Sequence, residues 1–281
     1  MSEYTSFVDG CKKRLVDFYQ KECECNFGGT FRGKEYDHIL ANKDDRMKLI
    51  IDEKLQELDT CARLFGGRVR FQACSHHVNS SQIFCINLFG PLMILDDGYK
   101  SLNKLLVAIG VKFCGQITCA QFEYSPGDKI DRTQFDFYAE TNKGEKAFFE
   151  IKYTEGDFGK PRKGSYKNRG KYATMCAESA YLKRMAEMAK EDDICHKFYS
   201  HFQVWRVVGR VKDGENDYAV FIFPLANTTL LRHFPQKEVN EMSKVLMIDA
   251  KVIIEHAIRT FGTNPALAKH YSKLKEFYFN F

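Results

Sequence analysis

The stretch FFEIKYTEGD, Phe148 to Asp157, decides how this chain is read. It begins apolar and turns abruptly charged, with Glu150 and Lys152 two residues apart. On a β-strand, where successive side chains alternate between faces, that spacing aims an acid and an amine to the same side. The stretch closes KAFFEIKYT (146–154), which follows TQFDFYAET (133–141) across NKGE, a strong hairpin signal. A third alternating run, ITCAQFEY (117–124), precedes both, so 117–154 reads as a meander of three adjacent strands.

Around the meander the pattern is helical. Residues 4–22 and 41–65 carry apolar side chains at helical spacing, for example Met47, Ile50, Ile51, Leu55, Leu58 and Leu64. The Gly-rich NFGGTFRGKEYDH separates them, and the first quarter is expected to be helical. In HHVNSSQIFCINLFGPL (76–92), Ser and Asn cap candidates precede an apolar run, which predicts a short buried helix ending at Gly90-Pro91. Further helices are predicted over 101–111, 172–190, 194–210, 236–261 and 264–279, and one more strand over 217–225. The middle thus runs α, β, β, β, α, α, β, an α+β layout with a mixed central sheet flanked by helices. The chain is expected to form a single domain over 1–281, with a helical N-terminal part (1–75), a core (76–230) and a helical C-terminal part (231–281).

With 281 residues and 44% hydrophobic content, the chain can bury a sizeable core. Its net charge of +5 favours a polyanionic partner, although many soluble enzymes carry as much. Ten irregularly spaced cysteines and a polar N-terminus, MSEYTSFVDGCKKRL, point to a reducing cytoplasm with free thiols. No window approaches the roughly 18 to 20 apolar residues of a membrane span, so no membrane partner is expected. Cys23 and Cys25, with Cys74, His76 and His77, invite a zinc reading, but the spacing fits no common finger pattern and buried free thiols fit better.

Asp136 lies mid-strand between Phe135 and Phe137, and Glu150 lies in the strand paired with it across the short turn. Carboxylates brought together beside an apolar sheet repel one another and lose solvation. A divalent cation removes that penalty. Mg²⁺ prefers oxygen ligands and is typically held by one or two carboxylates plus substrate phosphate, and Mn²⁺ is the expected substitute. Lys152 would stand beside metal and phosphorus, to orient or help deprotonate a water or to neutralise charge growing on the phosphate. Glu123, near the end of the first strand, is a candidate further ligand. An E-x-K pair also fits a solvated strand face, and a strand Asp can be an edge device against aggregation.

The arrangement of Asp136, thirteen residues and then Glu150-Ile151-Lys152, in this element order, resembles the PD-(D/E)XK nuclease superfamily. SHHVNSSQIFCINLFGPL, FEYSP, DRTQFD, FFEIKYTE, QVWR and FPLAN, in that order over roughly 75–230, look like a group of bacterial restriction endonucleases within it. The resemblance implies a restriction-endonuclease-like core and a Mg²⁺-dependent endonuclease acting on DNA. It implies metal binding by Asp136 and Glu150, catalytic assistance by Lys152 and a supporting acid at Glu123. Phe135 stands where the superfamily usually has proline.

Lys160, Arg162, Lys163, Lys167, Arg169 and Lys171 form a Gly-rich basic run beside the acids, suited to nucleic-acid backbone contacts or to plain solvation. Tyr166 and Tyr172 are candidates to stack on bases. Asn79 and Ser80 fit an N-cap, while Gln82 or a neighbour (His77, Ser81) fits a contact to phosphate or metal-bound water. Gln203 and Arg206 fall on a helix expected to flank the sheet, and Trp205 reads as core. Double-strand cutting often uses two active sites, which makes a homodimer the oligomer to test. The competing function is a catalytically inactive nucleic-acid-binding protein retaining the nuclease fold, and a zinc-stabilised interaction domain is a third.

Overall fold

The computed structural model describes residues 3–95, 99–127, 134–160, 177–179, 181–183, 198–212 and 214–279. The first elements are α1 (Glu3–Cys23), β1 (Phe27–Phe31), β2 (Lys34–Leu40), a 3-10 helix (Lys43–Leu49), α2 (Glu53–Gln56) and α3 (Leu58–Leu64). Then come α4 (Ser81–Leu95), α5 (Lys100–Ala108), β3 (Ile117–Tyr124), β4 (Phe135–Thr141) and β5 (Lys146–Ile151). Last are α6 (Phe202–Val208), β6 (Tyr218–Phe223), α7 (Thr228–Arg232), α8 (Gln236–Val239), β7 (Val245–Asp249), α9 (Ala250–Thr260) and α10 (Pro265–Phe279).

The predicted meander is the antiparallel half of a five-stranded sheet ordered β3-β4-β5-β6-β7, to which β6 and β7 add in parallel. This is the expected α+β fold with a mixed sheet between helical layers. Phe137, Phe149, Val220 and Ile222 enter one core with α1, α4, α5, α9 and α10. Tyr138, Phe148, Ala219, Phe221 and Phe223 enter a second core with α6 and its neighbours, where Trp205 is fully buried as expected. Every residue of β6 is buried, as befits a parallel strand covered on both faces. No described helix is long and apolar enough to cross a membrane.

The terminal parts are less helical than expected. The Gly-rich separator is itself a hairpin: Phe31 pairs with Lys34 across Arg32 (φ +52°) and Gly33 (φ +78°), two positive-φ residues as a tight hairpin turn demands. Within it Gly29 lets Leu40 approach, since a Cβ there would sit 2.1 Å from the Leu40 carbonyl oxygen. The helix expected over 41–65 breaks into three short pieces. Asn42 and Asp52 restart the chain by accepting hydrogen bonds from Asp44 N at 3.0 Å and Lys54 N at 2.9 Å. Within the expected 236–261 helix, VLMID is instead β7, and Asp249 caps the following helix by accepting from Lys251 N at 3.0 Å.

The helix of 81–95 runs through Gly90-Pro91 instead of stopping there. Pro91 has no N–H to give the Asn87 carbonyl. His270 Nε2 supplies that bond at 2.7 Å, and the Tyr271 hydroxyl donates to the Leu88 carbonyl at 2.8 Å. Helix α10 therefore repairs α4. The helix expected over 172–190 lies largely outside the described residues. Of that expected over 194–210, the structure describes helix at 198–200 and at α6.

Candidate active site

In the meander Phe137 pairs with Phe122 on β3 and with Phe149 on β5. The ladder breaks at the next position: β4 and β5 pair only as far as Phe137–Phe149, and β3 and β4 pair at Phe122–Phe137 and again at Tyr124–Phe135, which leaves Glu123, Asp136 and Glu150 outside the regular antiparallel pairing. The two inner strands part here: the N–H of Ile151 donates to Asp136 Oδ2 at 2.7 Å, and the N–H of Lys152 turns to the Ile222 carbonyl at 3.0 Å. Asp136, Glu150, Glu123 and the Lys152 amine thus come together where β4 begins and β5 ends; simple alternation does not bring Asp136 there, since its neighbours Phe135 and Phe137 enter different cores.

The set is buried. Glu150 is 1% exposed and Glu123 3% exposed, values that ordinary surface carboxylates do not reach. Glu150 Oε1 accepts from Lys152 Nζ and from Gln203 Nε2 at 2.7 Å, whereas Oε2 is buried with no hydrogen-bond partner among the described residues. Glu123 holds a left-handed backbone (φ +49°), uncommon for a non-glycine, and Oε1 accepts from Gln82 Nε2 at 2.7 Å and from Gln72 Nε2 at 2.8 Å. Beneath, the Cys85 thiol contacts the Asp136 carbonyl oxygen at 3.6 Å, and burial followed by the charges of Asp136, Glu123 and Glu150 keeps it protonated.

These groups govern one another's protonation. Burial, then the Glu150 charge, pushes the Asp136 carboxyl well above the ordinary carboxylate range, with Lys152 opposing. Glu123 is pushed up to about 7, chiefly by burial, with Gln72 and Gln82 pulling the other way. Burial alone would lower the Lys152 pKa, but the Glu150, Asp136 and Glu155 charges outweigh it and the net shift is upward. Lys152 is accordingly a cation at neutral pH. Among the described residues no three His, Cys, Asp or Glu side chains gather as ready-made metal ligands, which applies equally to the zinc reading of Cys23, Cys25, Cys74, His76 and His77. The described cysteines are free thiols.

The other candidates are distributed unevenly. Gln82 is 2% exposed, and its amide is wholly engaged: Nε2 donates to Glu123 and to the Arg70 carbonyl at 2.9 Å, while Oε1 accepts from Gln72 N at 2.9 Å. It therefore holds the acid in place instead of facing outward. Ser80 is the N-cap, accepting from Ile83 N at 3.4 Å, and Asn79 donates to the Thr154 hydroxyl at 2.6 Å. His77 packs among the Phe31, His38 and His76 rings. Gln203 reaches the site, while Arg206 lies over the Phe202 ring at 4.8 Å. Lys160 is exposed and ion-paired with Asp157 at 3.6 Å. Arg162, Lys163, Lys167, Arg169 and Lys171, with Tyr166 and Tyr172, lie outside the described residues.

Two participants escaped the sequence reading. Gln72 sits in an irregular segment, with no local pattern to say that it folds over β3. Gly159 (φ +89°) abuts Gln203, and a Cβ there would lie 2.4 Å from Gln203 Oε1. In the sequence only the Gly in EGDFG marked a tight place. Compared with known proteins, the chain matches one family model, described as Restriction Endonuclease associating with ARP, over residues 13–279. No curated protein and no solved structure matches it.

Proposed function

The chain belongs to this family of restriction endonucleases, and from that membership we propose that it hydrolyses DNA phosphodiester bonds with a divalent metal ion at a PD-(D/E)XK-type centre. The observation that carries the proposal is Glu150 Oε2, a buried carboxylate oxygen beside Asp136 that has no hydrogen-bond partner among the described residues. A buried anionic oxygen left unpaired is costly unless a cation joins it. Asp136 and Glu150 would hold Mg²⁺ or Mn²⁺, with Glu123 in support. Two carboxylates with substrate phosphate and waters suffice for Mg²⁺, so three protein ligands are not required. When bound, the ion would polarise the phosphoryl group and lower the pKa of its water.

The chain's own groups supply the rest. Lys152, held as a cation by its acidic neighbours, suits charge stabilisation on the phosphate better than proton removal from water. Gln203 orients Glu150, and Gln82 with Gln72 orients Glu123. The family description adds an association with ARP, which we propose for this chain as well, alongside a homodimer as the form that cuts both strands.

The test is cleavage of supercoiled plasmid with Mg²⁺ or Mn²⁺ by wild type, Asp136→Ala and Lys152→Ala. Wild-type cutting lost in both variants and abolished by EDTA is expected; equal cleavage by all three ends the site assignment. The second reading, a DNA-binding protein without catalysis, would be established by a gel shift from a protein that neither cuts nor binds Mn²⁺.

A further inference from the structure

Beside the carboxylates runs GGRVRFQAC, residues 66–74, which enters from α3 and belongs to no helix or strand. Its start turns on Gly66 (φ +73°) and Gly67 (φ +111°). Beyond them burial alternates: Val69 and Phe71 are half-buried against the main core, while Arg68, Arg70 and Gln72 are exposed. The outward residue at the far end, Gln72, is the one whose amide bonds the Glu123 carboxylate. We propose that this segment is a substrate rail, on which Arg68 and Arg70 hold the phosphate backbone of DNA against the Glu123 side of the active site.

The inference rests on the nuclease reading and deepens it. Position is the first support. Arg70 and Gln72 are two apart and both exposed, about 6.6 Å from one another along extended backbone, and Arg68, in the bend that follows the glycines, lies further from Glu123 along the chain. Rigidity is the second. Gln82 pairs with the segment's backbone as a neighbouring strand would, donating to the Arg70 carbonyl and accepting from Gln72 N, both at 2.9 Å. The Phe71 ring anchors the opposite face, with Phe65 at 6.3 Å and the Arg46 guanidinium at 5.1 Å. One side chain, Gln82, thus fixes both the rail and the acid it borders.

Availability and charge are the third support. Among the described residues neither Arg68 nor Arg70 makes an ion pair or a side-chain hydrogen bond, unlike Lys160, which is paired with Asp157. The buried acids offer a polyanion no attraction of their own, so a phosphodiester is held beside them only by cations placed nearby. Arginine suits the task because its planar fork meets phosphate oxygens in a bidentate manner.

The test is the salt dependence of binding, read by fluorescence anisotropy of a short labelled duplex. The proteins compared are wild type, Arg68→Ala/Arg70→Ala, Arg68→Lys/Arg70→Lys and Lys237→Ala. Each phosphate contact contributes about 0.9 to the slope of log K against log salt, so the double alanine variant should lose about 2 from that slope and bind at least about tenfold more weakly. The lysine pair should keep most of the slope, and Lys237→Ala, on α8 beside the far strand β7, should match wild type. In plasmid cleavage the alanine pair should raise KM far more than it lowers kcat. An unchanged slope in a folded alanine pair overturns the rail while leaving the nuclease reading intact; no DNA binding or cleavage by wild type overturns both.

Discussion

Glu123 keeps its proton into the neutral range because burial outweighs the two amides that stabilise its anion. The consequence for stability has a definite sign. Between the ordinary value of 4.5 and about 7, the unfolded chain releases a proton that the folded protein retains, so stability falls as pH rises through that window. Asp136, also shifted upward, acts in the same direction. Thermal melting of metal-free protein should therefore drop across this interval, and Glu123→Gln should flatten the decline; an equal decline in the variant would contradict the assignment. Gly159 supplies a second residue-scale prediction. Gly159→Ala forces a side chain onto positive φ and into Gln203 Oε1, displacing the amide that orients Glu150. Cleavage should fall on the order of a hundredfold with the fold retained, since small misplacements of an oriented group are that damaging. Activity near wild type would show that Gln203 does not position Glu150.

At the scale of elements, α4 illustrates how tertiary contacts override local signals. It continues through Pro91 because His270 and Tyr271 satisfy carbonyls on that face, and Asn87 ties it to the preceding segment by accepting from Ile51 N at 2.8 Å and donating to the Leu49 carbonyl at 3.0 Å. Asn87→Ala strands two backbone groups and should lower unfolding stability by about 2 kcal/mol or more in denaturant titration. A loss below about 0.5 kcal/mol would mean that these bonds contribute little. The same contrast explains what the sequence made legible. The β3–β5 meander could be read because antiparallel strands alternate and NKGE marks their turn. Strand β7 could not, because this edge strand does not alternate, with Val245 and Ile248 buried and Leu246 and Met247 half-buried, and VLMID runs straight into the helical AKVII. The β1–β2 hairpin was hidden because its glycines, which allow the turn and the close approach, resemble a loop.

For the whole molecule, the sheet sets the site and the helices complete it. Asp136, Glu150 and Lys152 were legible because the hairpin that brings their strands together is local in sequence, although alternation breaks at Asp136, whose neighbours Phe135 and Phe137 enter different cores. Gln72 and Gly159 were not, since their roles depend on loops returning to β3 and α6, which spacing along the chain does not encode. The resulting centre joins acids from three strands to amides from α4, α6 and the 66–74 segment, and among the described residues the buried Glu150 Oε2 has no partner. The central claim is that a divalent cation completes it. Isothermal titration of Mn²⁺ into the protein near pH 7, repeated in buffers of different protonation enthalpy, addresses this most directly. The account predicts saturable binding with proton release from the raised carboxyls, lost in Asp136→Asn and Glu150→Gln; no binding by wild type, or equal binding by both variants, would contradict it.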